Sequence, residues 1–437
     1  MNDGEVAFVA WSDYVGITRC RGVPAPASDG VMRNGIGWAV AGQALTPFDD
    51  IAPNPWGPML EVRQVPVPET HTRIDIWPGA PALNLYLSDA RTPDGQDWDC
   101  CTRGFMRSAL DDLRTETGLD VVAAFEHEFT VTEGLGHGEP PFSLAAMRGI
   151  TDLSTDFLRA LAAAGVEQES MEPEYGVGQF EITTAPAVGA AAGDRAIITR
   201  EVIREVLHRR GMRATFSPKP TPTSVGNGAH LHFSLRDADG NNASYDPQGV
   251  AGASLVAQHF IAGVVRHMPA LTALVAPSPV SYYRLGPHHW SCGFASFGIQ
   301  NRETAIRICP SADHDPDKRA RTFNMEFRPP DATASPYMVI GSLVRAGLEG
   351  IRRELPLPPA IDRDPADLTE VERAAYGIVP LPSTLPAALE AFERDEAACS
   401  WLSPTMRESY VAVKRAEIEL AEGTTREELC RMYSAAY

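Results

Sequence analysis

Along residues 1 to about 95 the apolar positions fall at every second residue or in short unbroken runs. Leu60-Glu61-Val62-Arg63-Gln64-Val65, Arg73-Ile74-Asp75-Ile76 and Leu83-Asn84-Leu85-Tyr86-Leu87 alternate, while Val6-Ala7-Phe8-Val9-Ala10 is apolar throughout. Period two turns successive side chains to opposite faces, so these segments predict the strands of a small sheet. The Pro- and Gly-rich stretches Gly22 to Gly30 and Thr46 to Pro58 predict loops. Beyond Asp97 the period lengthens, and Phe105 to Thr117, closed by Gly118, predicts a helix with a glycine cap. Further helices are predicted at Ile150 to Ala164, Arg195 to Arg210, Leu255 to Leu274, Pro336 to Glu354, Leu385 to Cys399 and Pro404 to Ala421. The change of period divides the chain into domains 1–98 and 99–437. Helices and strands mix without strict alternation, so an α+β catalytic domain is expected rather than a doubly wound parallel sheet.

Four later strands carry polar groups on one face only. In Phe125-Glu126-His127-Glu128-Phe129 the two carboxylates project together, away from the phenylalanines. Glu181 stands between Phe180 and Ile182, with Glu174 seven residues earlier; His230, His232 and Ser234 oppose Leu231, Phe233 and Leu235; Glu326 and Arg328 flank Phe327. An isolated Glu-x-Glu is more often a solvated edge, since glutamate is rarely buried unless paired. Four such strands side by side would instead bring Glu126, Glu128, Glu174, Glu181 and Glu326 together with one or two imidazoles.

Composition narrows the chemistry. The 437 residues, 44% hydrophobic, support a full-sized core, and the net charge of -19 excludes nucleic acid or an anionic membrane as the main partner. There is no apolar run long enough to span a bilayer and no signal-peptide pattern at Met1 to Glu5, so a cytoplasmic protein is expected. The seven cysteines are scattered without paired metal-ligand spacing, which fits reduced thiols.

A buried group of carboxylates requires cations, and oxygen-rich ligands with one imidazole suit Mg²⁺ or Mn²⁺ better than zinc; five glutamates suffice for two or three ions. Arg284, Arg302 and Arg307 lie within one short stretch, and arginine is the side chain best shaped for carboxylate and phosphate oxygens. Divalent metals with guanidinium forks are the equipment for phosphoryl transfer from a nucleotide to an anionic acceptor. Neither a Walker loop nor Gly-x-Gly-x-x-Gly is present, so the nucleotide site is of another kind.

In this order, Glu126-x-Glu128, Glu174 to Glu181, Gly226-Asn227-Gly228-Ala229-His230-Leu231-His232, Arg284-Leu285-x-Pro287, Asn301-Arg302 to Arg307 and Glu326-Phe327-Arg328 resemble the glutamine synthetase family. The resemblance implies a small N-terminal β-grasp domain and a catalytic domain with a curved antiparallel sheet funnel flanked by helices. It also implies homo-oligomeric rings, a dodecamer, with active sites between subunits. Glu128, Glu174 and Glu181 match the ligands of one metal, and Glu126, His230 and Glu326 those of a second. Arg284, Arg328 and Gly226 match the positions that hold L-glutamate, Arg302 and Arg307 those facing the transferred phosphoryl group, and His232 and Ser234 lie where the family contacts ATP. The implied reaction is activation of the γ-carboxylate to an acyl phosphate, followed by attack of an amine.

Four places depart from the family. Trp290 stands where glutamine synthetases carry a glutamate that closes over the site and helps bind ammonium, and Asn34-Gly35-Ile36-Gly37-Trp38 replaces a second acidic position. Tryptophan offers an apolar face and an indole donor rather than an anion, so Trp290 resembles the branch that ligates glutamate to organic amines, such as the γ-glutamylpolyamine synthetases. The competing reading of Trp290 is a lid residue packed on a neighbouring subunit. His288 or His289 could accept the amine's proton. Asn324 stands where many members have an arginine near ATP, and Ala366 where adenylylated enzymes have a tyrosine.

Overall fold

The computed structural model describes residues 4–25, 28–133, 135, 138–288, 290–311 and 314–437. Its first sheet contains Val6–Ser12 (β1), Thr18–Pro24 (β2), Ile36–Ala39 (β3), Glu61–Pro66 (β4), Thr72–Ile74 (β5) and Leu83–Arg91 (β6), in the order β2-β1-β6-β4-β3 with β5 beside β6. The unbroken apolar run becomes the inner strand β1, which pairs with β6 in parallel and with β2 antiparallel. An inner strand is covered on both faces and needs no alternation. The expected loop from Gly22 to Gly30 is corrected: β2 runs to Pro24, and the short helix Ser28–Asn34 follows. β2 is an edge strand with largely exposed side chains, so no apolar pattern announced it.

The second sheet has ten strands. It contains Asp120–Glu133 (β7), Gln168–Pro173 (β8), Gln179–Thr184 (β9), Ala187–Val188 (β10), Arg213–Thr215 (β11), Ala229–Arg236 (β12) and, past the separate Tyr245–Val250 (β13) and Phe294–Ala295 (β14), Phe297–Ile299 (β15), Ile306–Ile308 (β16), Met325–Phe327 (β17) and Ala360–Ile361 (β18). The order is β18-β15-β16-β17-β12-β7-β9-β8, with β10 and β11 against the ends of β7. It is antiparallel from β8 to β16 and parallel where β15 meets β16 and β18. The long apolar-backed strand β7 is central because its buried face continues through Val121, Ala123, Phe125, Phe129 and Val131.

The helices Thr102–Thr117, Ala190–Arg209, Leu255–Val275 and Pro336–Arg352 cover the apolar face. The last two touch backbone to backbone: a Cβ added at Gly350 would lie 2.0 Å from the His259 carbonyl oxygen, so only glycine fits. The predicted single helix Leu385 to Cys399 is two, Leu385–Arg394 and Glu396–Trp401. Extended Asp395 separates them because its carboxylate caps Ala398 and lies 2.6 Å from His267 Nδ1. The helix predicted from Arg195 begins at Ala190, after Gly189 at φ 59°. The helix Arg426–Ala436, which no strong apolar stripe marks, falls in the stretch Pro380 to Tyr437 that resembles the family's last helices. No helix among the described residues is long and apolar enough to cross a membrane.

The two sheets are joined through a buried arginine. Arg103 donates to Asp89 on β6 at 2.8 Å and, through Nε and Nη2, to both oxygens of Asp194 at 2.9 Å; Tyr337 donates to Asp194 at 2.7 Å. Replacing Arg103 with Met leaves the buried Asp194 carboxylate without its cation, while Asp89 keeps Arg107, and should cost about 3–5 kcal/mol. A urea unfolding curve of R103M against the parent checks this; an unchanged midpoint refutes it.

Candidate active site

Strand register alone assembles the candidate residues. Across β7 and β12, Glu126 faces His230; across β12 and β17, His232 faces Glu326. Glu128 faces Glu181 across β7 and β9, and Arg307 faces Glu326 across β16 and β17. Because these residues recur at every second position, they share the face opposite the helix-covered core.

Ligand atoms of Glu126, Glu181 and His230 all lie within 4.8 Å of one another, as do those of His232, Cys309 and Glu326. His230 Nδ1 stands 3.4 Å from Glu126, 3.6 Å from Glu326 and 3.7 Å from Glu128. Glu174 sits in the turn between β8 and β9, outside the two close groups, with an oxygen accepting from the Tyr175 amide at 3.1 Å. Its charge couples to Glu128, Glu172 and Arg302.

The electrostatics divide the cluster. Burial, reinforced by neighbouring carboxylates, pushes Glu174 up to about 7 and raises Glu181 further still. Burial also raises Glu128. Glu126 is held low: burial opposes ionisation there, but hydrogen bonds from His230 and His232 outweigh it. Glu326, fully buried, is likewise low because Arg328 and both histidines outweigh desolvation, and it pairs with Arg307 and Arg328 at once. Burial and the charge of Arg328 press His230 down to about 4, leaving a neutral imidazole with a lone pair to offer. Carboxylates that would hold protons on their own, beside a neutral imidazole, fit a hard divalent cation.

Around this cluster the remaining residues divide by exposure. Arg284 is buried, and its Nη atoms donate to the carbonyls of Arg328, Pro329 and Pro330 at 3.0–3.1 Å. A Cβ at Gly226 would lie 2.6 Å from Arg284 Cγ, and one at Gly228 2.9 Å from His230 Nε2, so both glycines leave room that the site uses. Arg302 and Trp290 are exposed, Trp290 by 63%. Trp290 sits at φ 49°, its N–H donating to Glu303 at 3.1 Å and its carbonyl accepting from Arg328 at 2.5 Å. Ser234 lies half-buried on the same strand face as His232. His232 is 2.9 Å from Glu126 through Nε2 and 2.8 Å from Asn324 through Nδ1. His288 pairs with Asp364 at 2.9 Å, and His289 lies outside the described residues.

Gln179 was missed. Its amide nitrogen donates to Gly226 O at 2.8 Å and approaches Glu128 at 3.3 Å, so it ties β9 to the glycine loop. Its signal was present, since it precedes Glu181 by two residues on the same face. Cys309 and Glu303 carried no local signal, and Asn324 entered only as a departure from the family.

Comparison with known proteins gives consistent matches. A family model described as "Glutamine synthetase, catalytic domain" matches residues 99–433, and one described as "Glutamine synthetase N-terminal domain" matches residues 4–98. The γ-glutamylpolyamine synthetase GlnA3 of Streptomyces coelicolor is 33% identical over 445 residues, covering 98% of this chain and 93% of that protein. A crystal structure of a glutamine synthase homologue superposes with a TM-score of 0.91 at 40% identity over 99% of this chain and 98% of the other. The complex of GmaS with ADP gives 0.82 at 26% identity, over 96% and 94%.

The raised carboxylates set a pH dependence. Folded, cation-free protein keeps a proton on Glu174 that the unfolded chain releases, so stability falls as pH rises from about 4.5 to about 7. The upward shift of Glu181 continues that fall beyond the window; the depressed His230 and His127 act in the opposite sense within it, and Glu126 and Glu326 below it. Added Mn²⁺ displaces those protons, and its stabilisation should grow with pH. Melting curves with chelator and with Mn²⁺ across this range check it; a Mn²⁺ effect that shrinks as pH rises contradicts it.

Proposed function

The chain belongs to the glutamine synthetase family, and on that premise we propose that it joins the γ-carboxylate of L-glutamate to an organic amine, using ATP. It is a ligase of that family. The observation that carries the amine is Trp290, whose indole stands exposed while its backbone is tied to Arg328 and Glu303. An apolar aromatic face suits an alkyl or aryl chain and, by cation-π attraction, its charged nitrogen. It does little for ammonia. The similarity to a γ-glutamylpolyamine synthetase supports the same reading.

In the proposed mechanism Glu128, Glu174 and Glu181 would hold one cation and Glu126, His230 and Glu326 a second, with Mg²⁺ or Mn²⁺ in two or three positions. When bound, the cations draw the nucleotide phosphates and the substrate carboxylate together and offset their charge. Arg328, with Arg284 shaping the loop around Gly226, orients the glutamate. Arg302 and Arg307 face the transferred phosphoryl group, and His232 and Ser234 lie on the ATP side. A γ-carboxylate oxygen attacks the γ-phosphorus and ADP leaves, forming γ-glutamyl phosphate. The amine nitrogen, its ammonium proton given up to solvent, then attacks the acyl carbon; the C–O bond breaks, phosphate departs with its electron pair, and the second proton released by the nitrogen passes to the departing phosphate or solvent. Residues 1–98 form a separate small domain beside the catalytic domain 99–437, in homo-oligomeric rings, a dodecamer, with sites shared between subunits in the cytoplasm.

The test is phosphate release with ATP, Mg²⁺, glutamate and a panel of ammonia, alkylamines, arylamines and polyamines. Release driven by organic amines and weak with ammonia is expected. Release with ammonia alone points to an ordinary glutamine synthetase, and no amine-dependent release points to a catalytically silent protein. Trp290→Glu should raise kcat/KM for ammonia about tenfold, close to 1.4 kcal/mol of transition-state stabilisation.

A further inference from the structure

Glu303 carries a carboxylate oxygen that the described structure leaves unsatisfied. Oε1 accepts the Trp290 N–H at 3.1 Å and the His288 backbone amide also bears on the carboxylate, whereas Oε2 is shielded from solvent and makes no hydrogen bond of good geometry among the described residues. The chain supplies a second acid beside it: the charge of Asp364 bears on Glu303, and Asp364 lies 2.9 Å from His288 Nδ1. Between them the two carboxylates hold the segment carrying Trp290, in which His288 and Trp290 both adopt left-handed backbone conformations, at φ 61° and 49°. This segment leads straight into the reaction centre, because the Trp290 carbonyl accepts from Arg328, whose other Nη pairs with Glu326.

We propose that Glu303 is the specificity-determining anion for the amine substrate, its unpaired oxygen receiving the cationic nitrogen while the Trp290 indole lies along the carbon chain. This rests on the ligase reading above. A shielded carboxylate oxygen without a donor is unfavourable, and an ammonium group supplies both donors and opposite charge. The left-handed segment over it gives the means of access, since displacing the Trp290 N–H from Oε1 exposes the whole carboxylate to the entering amine. Asp364 adds negative potential behind Glu303 and keeps His288 anchored. The site thus selects amines that arrive charged, with an apolar body, which neither the indole nor the carboxylate would select alone.

The experiment uses the full-length enzyme with ATP, Mg²⁺ and glutamate. Butylamine and 1,4-diaminobutane serve as charged nucleophiles, and hydroxylamine as one that is uncharged at neutral pH. Glu303→Gln keeps an acceptor for Trp290 N–H and removes the charge. It should raise KM for both charged amines at least about tenfold, leave KM for glutamate and ATP within about twofold, and leave hydroxylamine turnover unchanged. Glu303→Asp should recover part of the loss. An unchanged KM for the charged amines overturns the proposal, and so does an equal loss with hydroxylamine, which marks Glu303 as a support for the Trp290 segment only. If E303Q does not fold, E303D decides by the same comparison: a KM raised for charged amines and unaltered for hydroxylamine supports the proposal, and any other pattern overturns it. Failure of the parent enzyme to use any organic amine, read before any variant, overturns the ligase reading and this inference with it.

Discussion

The carboxylates of Glu126, Glu128 and Glu181 stand on adjacent strands of one sheet, closer together than three negative charges can remain without compensation. Much of the catalytic architecture answers that constraint. Two histidines on β12 hold Glu126 ionised, and Arg328 together with the same histidines does so for Glu326. Glu174 and Glu181 are left short of positive charge, so the face is poised for a cation rather than balanced by the protein alone. A scaffold without chemistry to perform has little use for such an arrangement, since replacing buried charges by apolar residues is often neutral or stabilising.

Rigidity behind the sheet makes that arrangement possible. The opposite face of β7 packs Phe125 and Phe129 into a continuous core, and His127 joins them there as a neutral ring, pressed down to about 3 by burial and the charge of Arg200 and Arg204. The helices Leu255–Val275 and Pro336–Arg352 close to backbone contact through Gly263 and Gly350. Like charges held on so tightly packed a support cannot relax apart, which is how the fold sustains their shifted ionisation.

The segment bearing Trp290 is built differently. It is exposed, bent through left-handed conformations, tied by individual hydrogen bonds to Arg328 and Glu303, and held by the close His288–Asp364 contact. In the proposed mechanism the rigid sheet carries the phosphoryl chemistry and this segment the choice of nucleophile. The same division recurs wherever reactive groups stand on strands and selective ones on loops.

Period and polarity were enough to recognise the four strands, because a side-chain period of two is a local property. Thus Glu126, Glu128, Glu181, His230, His232 and Glu326 could be named together, and their ordered motifs identified the family. Gln179 lay in the same pattern and was readable there. The sequence could not show that Glu326 is shared between Arg307 and Arg328, that Arg284 is bound by three carbonyls, or that Glu303 reaches the Trp290 backbone. The break at Asp395 was hidden for the same reason, since it depends on His267, distant in the chain, whereas edge strand β2 was hidden because its exposed side chains carry no apolar pattern. Which side chains face the site was therefore determined by the sequence itself. How their charges are compensated, and which anion waits at the amine entrance, was decided only in three dimensions, because hydrogen bonding and desolvation depend on neighbours brought in from elsewhere in the chain.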